Sequence, residues 1–364
     1  MKILHICAGW QKWNGAANIA RMIMDEQRRE GYEVSFATWA KVRELRAADE
    51  VWIHCGWLPC LWWAALWGRN VHWMPEACYD PVRLKFHGWK KWLVGPIERF
   101  FLRRCNKIVA TCEAEKGWIE RYLGKKCPAV EVTDVKRFFD LMGGEAKENW
   151  RRGILPRQMG EQGATSVATL TRLEAASPND GAGGAQLLTR QDAASPNVGR
   201  DSLHILYLGR RHPLKGVEYL EKAVAELNSN LVNPVNPVQN SSARLTTSAL
   251  SSSPRLCVRL VSNAFGEELE KVWSWCDVLV LPTLSDNFGL VIAEALERGK
   301  RVITTDGAPA WGEELTGLTG FTGLYSGYEG RLIYLKGYRD GTDEERVELL
   351  KRAIDMLKHD GNMV

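Results

Sequence analysis

The sequence predicts an α/β protein of two doubly wound parallel sheets that face each other across a cleft. Three observations predict it. Short apolar runs alternate with amphipathic stretches through residues 1–140, the alternation then breaks off, and it resumes at residue 203. Strand–helix alternation at this spacing calls for a parallel sheet covered on both faces. At 364 residues the chain can bury two cores of ordinary size. Two such units leave a cleft at the carboxyl ends of their strands, where open α/β sheets hold ligands.

In the first unit, strands are expected at KILHIC (2–7), EVSFAT (33–38), EVWIHC (50–55), VHWM (71–74), KIVATC (107–112) and AVEVT (129–133). NIARMIMDEQRRE (18–30) has helical patterning between the first two. WLPCLWWAALWG (57–68) is apolar, but its 12 residues fall short of the roughly 20 a membrane span needs, so it reads as a buried helix. The second unit offers strands at LHILYLGR (203–210), LCVRLVS (256–262), DVLVLPT (277–283) and RVITTD (301–306). GVEYLEKAVAEL (216–227) and EERVELLKRAIDMLKH (344–359) read as helices.

Between the units the composition changes. LTRLEAASPND (170–180) recurs as LTRQDAASPNV (188–198), rich in Ala, Ser, Pro, Asn and Gly. A solenoid needs at least three repeats with apolar faces, so this reads as a duplicated, disordered insert. The expected organisation is a first doubly wound domain over 1–140, a swollen linker over 141–202, and a second domain over 203–364 interrupted by a low-complexity loop at 228–254. Both inserts are expected at the surface, where extra loop length costs little.

Hydrophobic content of 45% with 25% charged residues is that of a soluble globular protein. Residues 1–140 hold 23 Lys and Arg against 16 Asp and Glu, so the basic half is expected to meet something anionic. Nine cysteines, an odd number with no CxxC pair, read as reduced thiols of a cytoplasmic protein. Met1-Lys2 leads straight into a strand pattern, which gives no sign of a secretory signal.

Three stretches carry chemistry. In GWQKWNGAANIARMI (9–23), Gly9 and Gly15 permit a tight loop before a helix whose start offers amides to an anion. GxGxxG is absent, which disfavours a dinucleotide site, and a plain strand–helix turn fits equally well. In LGRRHPLKG (208–216), Arg210 and Lys215 follow a strand end and can neutralise a diphosphate; a solvated basic loop is the alternative. In LSDNFGLVIAEALERGKRVITTDGAPAW (284–311), a helix expected to start around Phe288 would aim the amides of Phe288, Gly289, Leu290 and Val291 at a phosphate. Glu294 lies below them, within reach of a ribose diol. A helix capped by Ser285 or Asp286, with Glu294 and Arg298 paired, explains the same spacing.

Together these residues resemble the retaining glycosyltransferases of family four, which have the GT-B fold of two facing Rossmann-like domains. That family carries a Gly-Arg…Lys-Gly loop and an acid–x7–acid segment of the form Glu-x-Phe-Gly-x4-Glu-Ala. The matches are Gly209-Arg210…Lys215-Gly216 and Asp286-Asn287-Phe288-Gly289…Glu294-Ala295-Leu296. The likeness continues through VITTDGAPAW (302–311) and through residues 79–115, while VEVTDVKRFFDL (130–141) looks like bacterial members that build lipopolysaccharide or related surface glycans.

The resemblance implies transfer of a hexose from a nucleotide-diphosphate sugar to a glycan or lipid-linked acceptor, with retention and without a metal or other cofactor. Arg210 and Lys215 would hold the diphosphate and stabilise it as leaving group. Asp286 would contact the sugar, Phe288 to Val291 would present amides to phosphate, Glu294 would hold the ribose, and Gly15 would line the diphosphate side. Two departures stand out. Asp286 replaces the usual Glu, shortening its reach by roughly 1.5 Å where positioning governs rate. Glu76-Ala77 stands where relatives often carry His-Gly before the Asp-Pro matched by Asp80-Pro81, so Glu76 is expected near the sugar and acceptor. His72, a lone strand histidine, reads as structural.

Segment 83–107 sets Arg83, Lys85, Lys90, Lys91, Arg99, Arg103, Arg104 and Lys107 against one acid, Glu98, among Trp89, Trp92, Phe100 and Phe101. Such an element can dock on an anionic membrane surface, here the inner face of the cytoplasmic membrane, or pack by its aromatics with its charges in water. No nucleic-acid recognition motif accompanies the charge. Two other readings stay open: an epimerase of the same architecture, and a non-catalytic partner that binds nucleotide or membrane only.

Overall fold

The apolar runs of the first unit become strands close to where the sequence puts them. The structure is a computed structural model that describes residues 1–7, 15–54, 59–86, 88–135, 202–232, 255–262, 264, 266–312, 324–327 and 330–359. The first unit contains β1 (Lys2–Cys7), α1 (Gly15–Arg29), β2 (Glu33–Ala37), α2 (Val42–Ala47), β3 (Glu50–His54), α3 (Pro59–Trp67) and β4 (Val71–Met74). It continues through α4 (Pro81–Phe86), α5 (Gly88–Leu102), β5 (Lys107–Ala110), α6 (Glu113–Leu123) and β6 (Ala129–Val132). Among the described residues these strands form a six-stranded sheet in the order β2-β1-β3-β4-β5-β6, parallel throughout.

The second unit contains β7 (Ser202–Leu208), α7 (Val217–Val232), β8 (Arg255–Val261), α8 (Glu267–Trp275), β9 (Val278–Leu281), α9 (Leu290–Glu297) and β10 (Arg301–Thr305). After these come β11 (Leu324–Gly327), β12 (Leu332–Leu335) and α10 (Asp343–His359). Its sheet runs β11-β12-β10-β9-β7-β8, with only β11 antiparallel to its neighbour among the described strands. The central strand β9 is buried at every position, as a parallel strand covered on both faces must be, and this is why it reads as an unbroken apolar run.

Several strands stop one or two residues before their expected ends, because the last polar residues already belong to loops at the carboxyl edge. Helix α7 runs on to Val232, into the stretch expected to be loop, where Asn228 exchanges hydrogen bonds with both backbone groups of Leu256. Strands β11 and β12 were not expected at all. The signal was present in LYSGYEGRLIYL (324–335), two β-rich runs around a Gly-containing turn. The repeat at 163–200 and residues 233–254 lie outside the described residues.

Helix α3 is the helix expected at 57–68, with Trp62, Ala64 and Ala65 buried. His72 serves the sheet: its ring faces Glu50 at 3.2 Å and Asn70 at 3.2 Å. Among the described helices, none is long and apolar enough to cross a membrane.

Candidate active site

Loops leaving the carboxyl ends of β4, β5, β7, β9 and β10 meet in one place, and backbone geometry explains how. The loop after β7 closes in a short 3-10 turn at Pro213–Lys215. The Leu214 carbonyl accepts from the Leu284 amide at 2.9 Å and from the Thr283 hydroxyl at 3.0 Å, which staples this loop to the one after β9. Gly216 lets the two approach. Its φ is 60°, and a Cβ there would lie 2.1 Å from the Pro282 carbonyl oxygen. The glycine after Lys215 is therefore demanded by packing as well as by turn geometry.

The staple sets Lys215 against Asp286, with Nζ 2.5 Å from Oδ2 and side chains 18% and 19% exposed. The other carboxylate oxygen accepts from the Asn287 amide at 2.8 Å, and the Asp286 amide donates to the Gly307 carbonyl at 2.7 Å. Burial raises the Asp286 carboxyl, but Lys215 and Arg83 outweigh it and hold the group below the ordinary carboxylate value. Burial also lowers the Lys215 ammonium, against the pull of Asp286. Arg210, one loop residue after Gly209, is exposed beside them. Its carbonyl accepts from the Tyr207 hydroxyl at 2.7 Å.

The helix expected to begin around Phe288 begins at Leu290. Asp286 caps the next amide rather than the helix, and Gly289, at φ 67°, turns the chain into α9. Phe288 belongs to the packing below: its ring is buried against Trp311 and its carbonyl accepts from the Trp311 indole. The amides at the start of α9 are thus those of Gly289, Leu290 and Val291, since the first amides of a helix have no partner within it. Glu294 is half-buried one turn further on. Arg298 forks onto Glu270, with its closest nitrogen 2.8 Å away, and lies over Trp273.

The first unit contributes from across the cleft. Gly15 opens α1, and the rest of its loop, 8–14, lies outside the described residues. Glu76 and Ala77 follow β4, both with φ of 57°, a backbone region costly for residues with a Cβ. Glu76 is buried, with its Oε1 3.6 Å from His54 Nδ1. His54 Nε2 is 2.9 Å from His5 Nδ1, and His5 Nε2 is 2.7 Å from the Gln27 side-chain oxygen. Burial lowers the His5 imidazole to about 3 and, with His5 beside it, lowers His54 well below its ordinary value. Both rings are therefore neutral. Gln27, His5 and His54 form a buried polar chain from α1 through β1 to β3, whose last ring faces Glu76 at 3.6 Å.

Four residues whose place the sequence did not reveal tie the units together. Arg83, expected on a membrane-facing element, turns inward and donates from Nε to the Ser285 hydroxyl at 3.0 Å. Thr111 meets Asn287 at 2.7 Å. Asp80 pairs with Arg339, whose guanidinium also lies 5.0 Å from the Trp118 ring centre. Arg339 is aimed there because Asp306, at the end of β10, accepts from the Gly337 and Arg339 amides at 2.6 and 2.8 Å. None of these pairs is visible in one dimension, since their partners lie 176 to 259 residues apart.

The same turn inward thins the basic face of 83–107. Arg99 lies over Tyr122, Arg103 donates to the Leu123 carbonyl, Lys107 pairs with Glu131, and Glu98 is buried with the Tyr122 hydroxyl. Among the residues of α5 whose side chains are described, which leave out 89–92, an apolar stripe at helical spacing is exposed, Leu93, Ile97 and Phe100, flanked by Arg104 over Phe100 and by exposed Lys85 and Phe86. Among the described residues no group of three or more His, Cys, Asp or Glu side chains is placed to hold a metal ion.

The arrangement can place two cations, a helix start and three acids around one cleft. Residues 202–323 match a family model described as glycosyl transferases group 1. No curated protein matches the chain. Among solved structures, a sucrose-phosphate synthase from Thermosynechococcus elongatus is similar with a TM-score of 0.56 and 14% identity, over 99% of this chain and 90% of that one. An α,α-trehalose-phosphate synthase (UDP-forming) from Burkholderia vietnamiensis is similar with a TM-score of 0.51 and 9% identity, over 100% of this chain and 94% of that one. At these identities the likeness is one of fold: two facing parallel-sheet domains in the GT-B arrangement, the second of them matched by the glycosyl transferases group 1 model.

Proposed function

We propose that this protein is a retaining hexosyltransferase that moves a sugar from a nucleotide diphosphate to a glycan or lipid-linked acceptor of bacterial lipopolysaccharide or surface polysaccharide. The observation that carries the reading is the Lys215–Asp286 pair beside the start of α9. On this reading the Asp286 carboxylate stands in for a phosphate on the half-buried Lys215 ammonium. The donor diphosphate would take Lys215 from Asp286 and be joined by Arg210 and the amides of Gly289 to Val291, with Gly15 on the opposite wall. Asp286, released, would accept from a sugar hydroxyl, and Glu294 would hold the ribose.

In the transfer, the bond from anomeric carbon to phosphate oxygen breaks as the acceptor oxygen bonds to the same face. The departing phosphate takes the acceptor proton. Lys215 and Arg210 stabilise the charge that grows on that phosphate, the role a metal plays elsewhere, so activity is expected to survive EDTA. Glu76, across the cleft, would face the sugar or acceptor.

Uridine diphosphate is the first probe, because one similar structure is named UDP-forming. A thermal-shift screen of nucleoside diphosphates followed by metal-free donor hydrolysis tests the reading, since a tight ligand raises the melting temperature by mass action. It fails if no nucleotide sugar is bound or turned over, or if Glu294→Ala keeps full activity. For the membrane, the supporting feature is the stripe Leu93, Ile97 and Phe100 beside Arg104, each cation near the lipid adding about 1 kcal/mol. Co-sedimentation with phosphatidylglycerol vesicles is expected, with binding lost in Ile97→Glu. Equal binding to neutral vesicles would count against an anionic surface.

A further inference from the structure

Glu115, on α6, is buried at the foot of the turn that carries Glu76. One of its carboxylate oxygens accepts from the Ala77 amide, the backbone group that follows Glu76 in the left-handed region. The other accepts from the Thr111 amide at 2.7 Å and lies 2.6 Å from the Thr111 hydroxyl. That hydroxyl is also 2.7 Å from the atom assigned as the side-chain oxygen of Asn287 in the second unit. Thr111 has one hydroxyl proton, and the carboxylate, which can only accept, takes it. The Asn287 amide must then turn its nitrogen toward Thr111 and donate, an orientation fixed by the hydrogen-bond network. The resulting order is Asn287 to Thr111 to Glu115, with Ala77 donating to the same carboxylate.

We infer that Thr111 and Glu115 are positioning residues that hold the Glu76 turn and the Asp286 loop opposite each other across the cleft. Glu115 keeps Glu76 in its left-handed turn, a backbone conformation costly for residues with a Cβ. Thr111 carries that hold to the residue next to Asp286. Neither touches a donor or acceptor in this arrangement; they act through Glu76 and Asp286. The inference rests on the glycosyl-transfer reading for its consequence and on hydrogen-bond chemistry for its structure.

The test uses Thr111→Val, which keeps the shape and removes the hydroxyl, Thr111→Ser, which restores it, and Asn287→Asp, which removes the donor but not the volume. Hydrogen bonds to a charged group of about 1.5–3 kcal/mol correspond to roughly 10- to 100-fold in rate. Thr111→Val and Asn287→Asp are expected to lower kcat by at least about tenfold while the Kd for uridine diphosphate, measured by calorimetry, stays within about twofold. Thr111→Ser is expected to recover most of kcat, and Thr111→Val combined with Asn287→Asp to be no worse than the poorer single variant.

A wild-type kcat in Thr111→Val, or losses that multiply in the double variant, would overturn the inference. An equal loss of nucleotide binding would do the same, by making the role structural. If the wild-type protein turns over no nucleotide sugar, the transfer reading fails. The link is then read from melting temperatures of the same singles and double: sub-additive losses keep it, additive losses remove it.

Discussion

The two walls of the cleft are built by different physics. The second unit's wall is made from adjacent loops stapled by backbone: Leu214 to Leu284, Asp286 to Gly307, Gly216 against Pro282. Its functional side chains sit close in sequence to the residues that position them. The first unit's wall depends on buried side chains gathered from separate elements: Glu115 from α6 holds the Glu76–Ala77 turn, and His54 from β3, backed by His5 from β1 and Gln27 from α1, faces it. A wall of the first kind leaves a motif. A wall of the second kind leaves almost none, because each contributor looks like a solitary polar residue in an apolar run.

The sharpest way to break this comparison is at Lys215. Removing the cation that faces the departing phosphate is expected to lower donor turnover by about 100- to 1,000-fold in Lys215→Ala. Steady-state hydrolysis of the best nucleotide sugar measures it, and an unchanged rate would move the chemistry to another wall. Next comes Gly216→Ala. Positive φ together with a Cβ driven onto the Pro282 carbonyl is expected to cost on the order of 3 kcal/mol, lowering the melting temperature by about 6–12 °C. A neutral outcome would mean that the staple yields easily.

Asp286→Glu is expected to give no gain and about a tenfold loss. In this chain the shorter acid satisfies both Lys215 and the Asn287 amide, and a longer one overshoots them. A large rise in turnover would instead mark the site as decayed from a glutamate enzyme.

A pH series sharpens the first wall. His5 and His54 are neutral in the fold and titrate near 6.5 when unfolded, so the unfolded state binds more protons below that pH. Their stabilisation is therefore complete above about pH 6.5 and is lost as pH falls toward the folded value, about 3 for His5. Each contributes a slope of up to about 1.4 kcal/mol per pH unit. Urea denaturation between pH 7 and about pH 4.5 reads it, and His54→Phe is expected to flatten the profile. A wild-type profile as flat as the variant's would speak against a buried neutral pair.

Much of the architecture was legible. Each of the ten strands expected from the sequence is present within a residue or two, because parallel strands covered on both faces are written as apolar runs. The second wall was legible too, to the level of which residues share a loop: Arg210 and Lys215 follow β7, and Asp286 precedes Gly289. Less legible was the start of α9, displaced by two residues because Asp286 spends an oxygen on Asn287 instead of capping the helix. The hairpin-like pair β11 and β12 was passed over because its runs are short.

By itself the sequence determined the layer order, the sheet-forming runs, and the order and spacing of the motif residues, all properties that depend on near neighbours and periodicity. Only the tertiary structure decided which way Arg83 points, that Asp80 meets Arg339, and that Thr111 and Glu115 join Glu76 to the loop of Asp286. Those pairings depend on how two separately folded sheets face each other. Residues with no periodic relation meet there because a buried polar group is costly without a partner, and the facing unit supplies partners that its own does not.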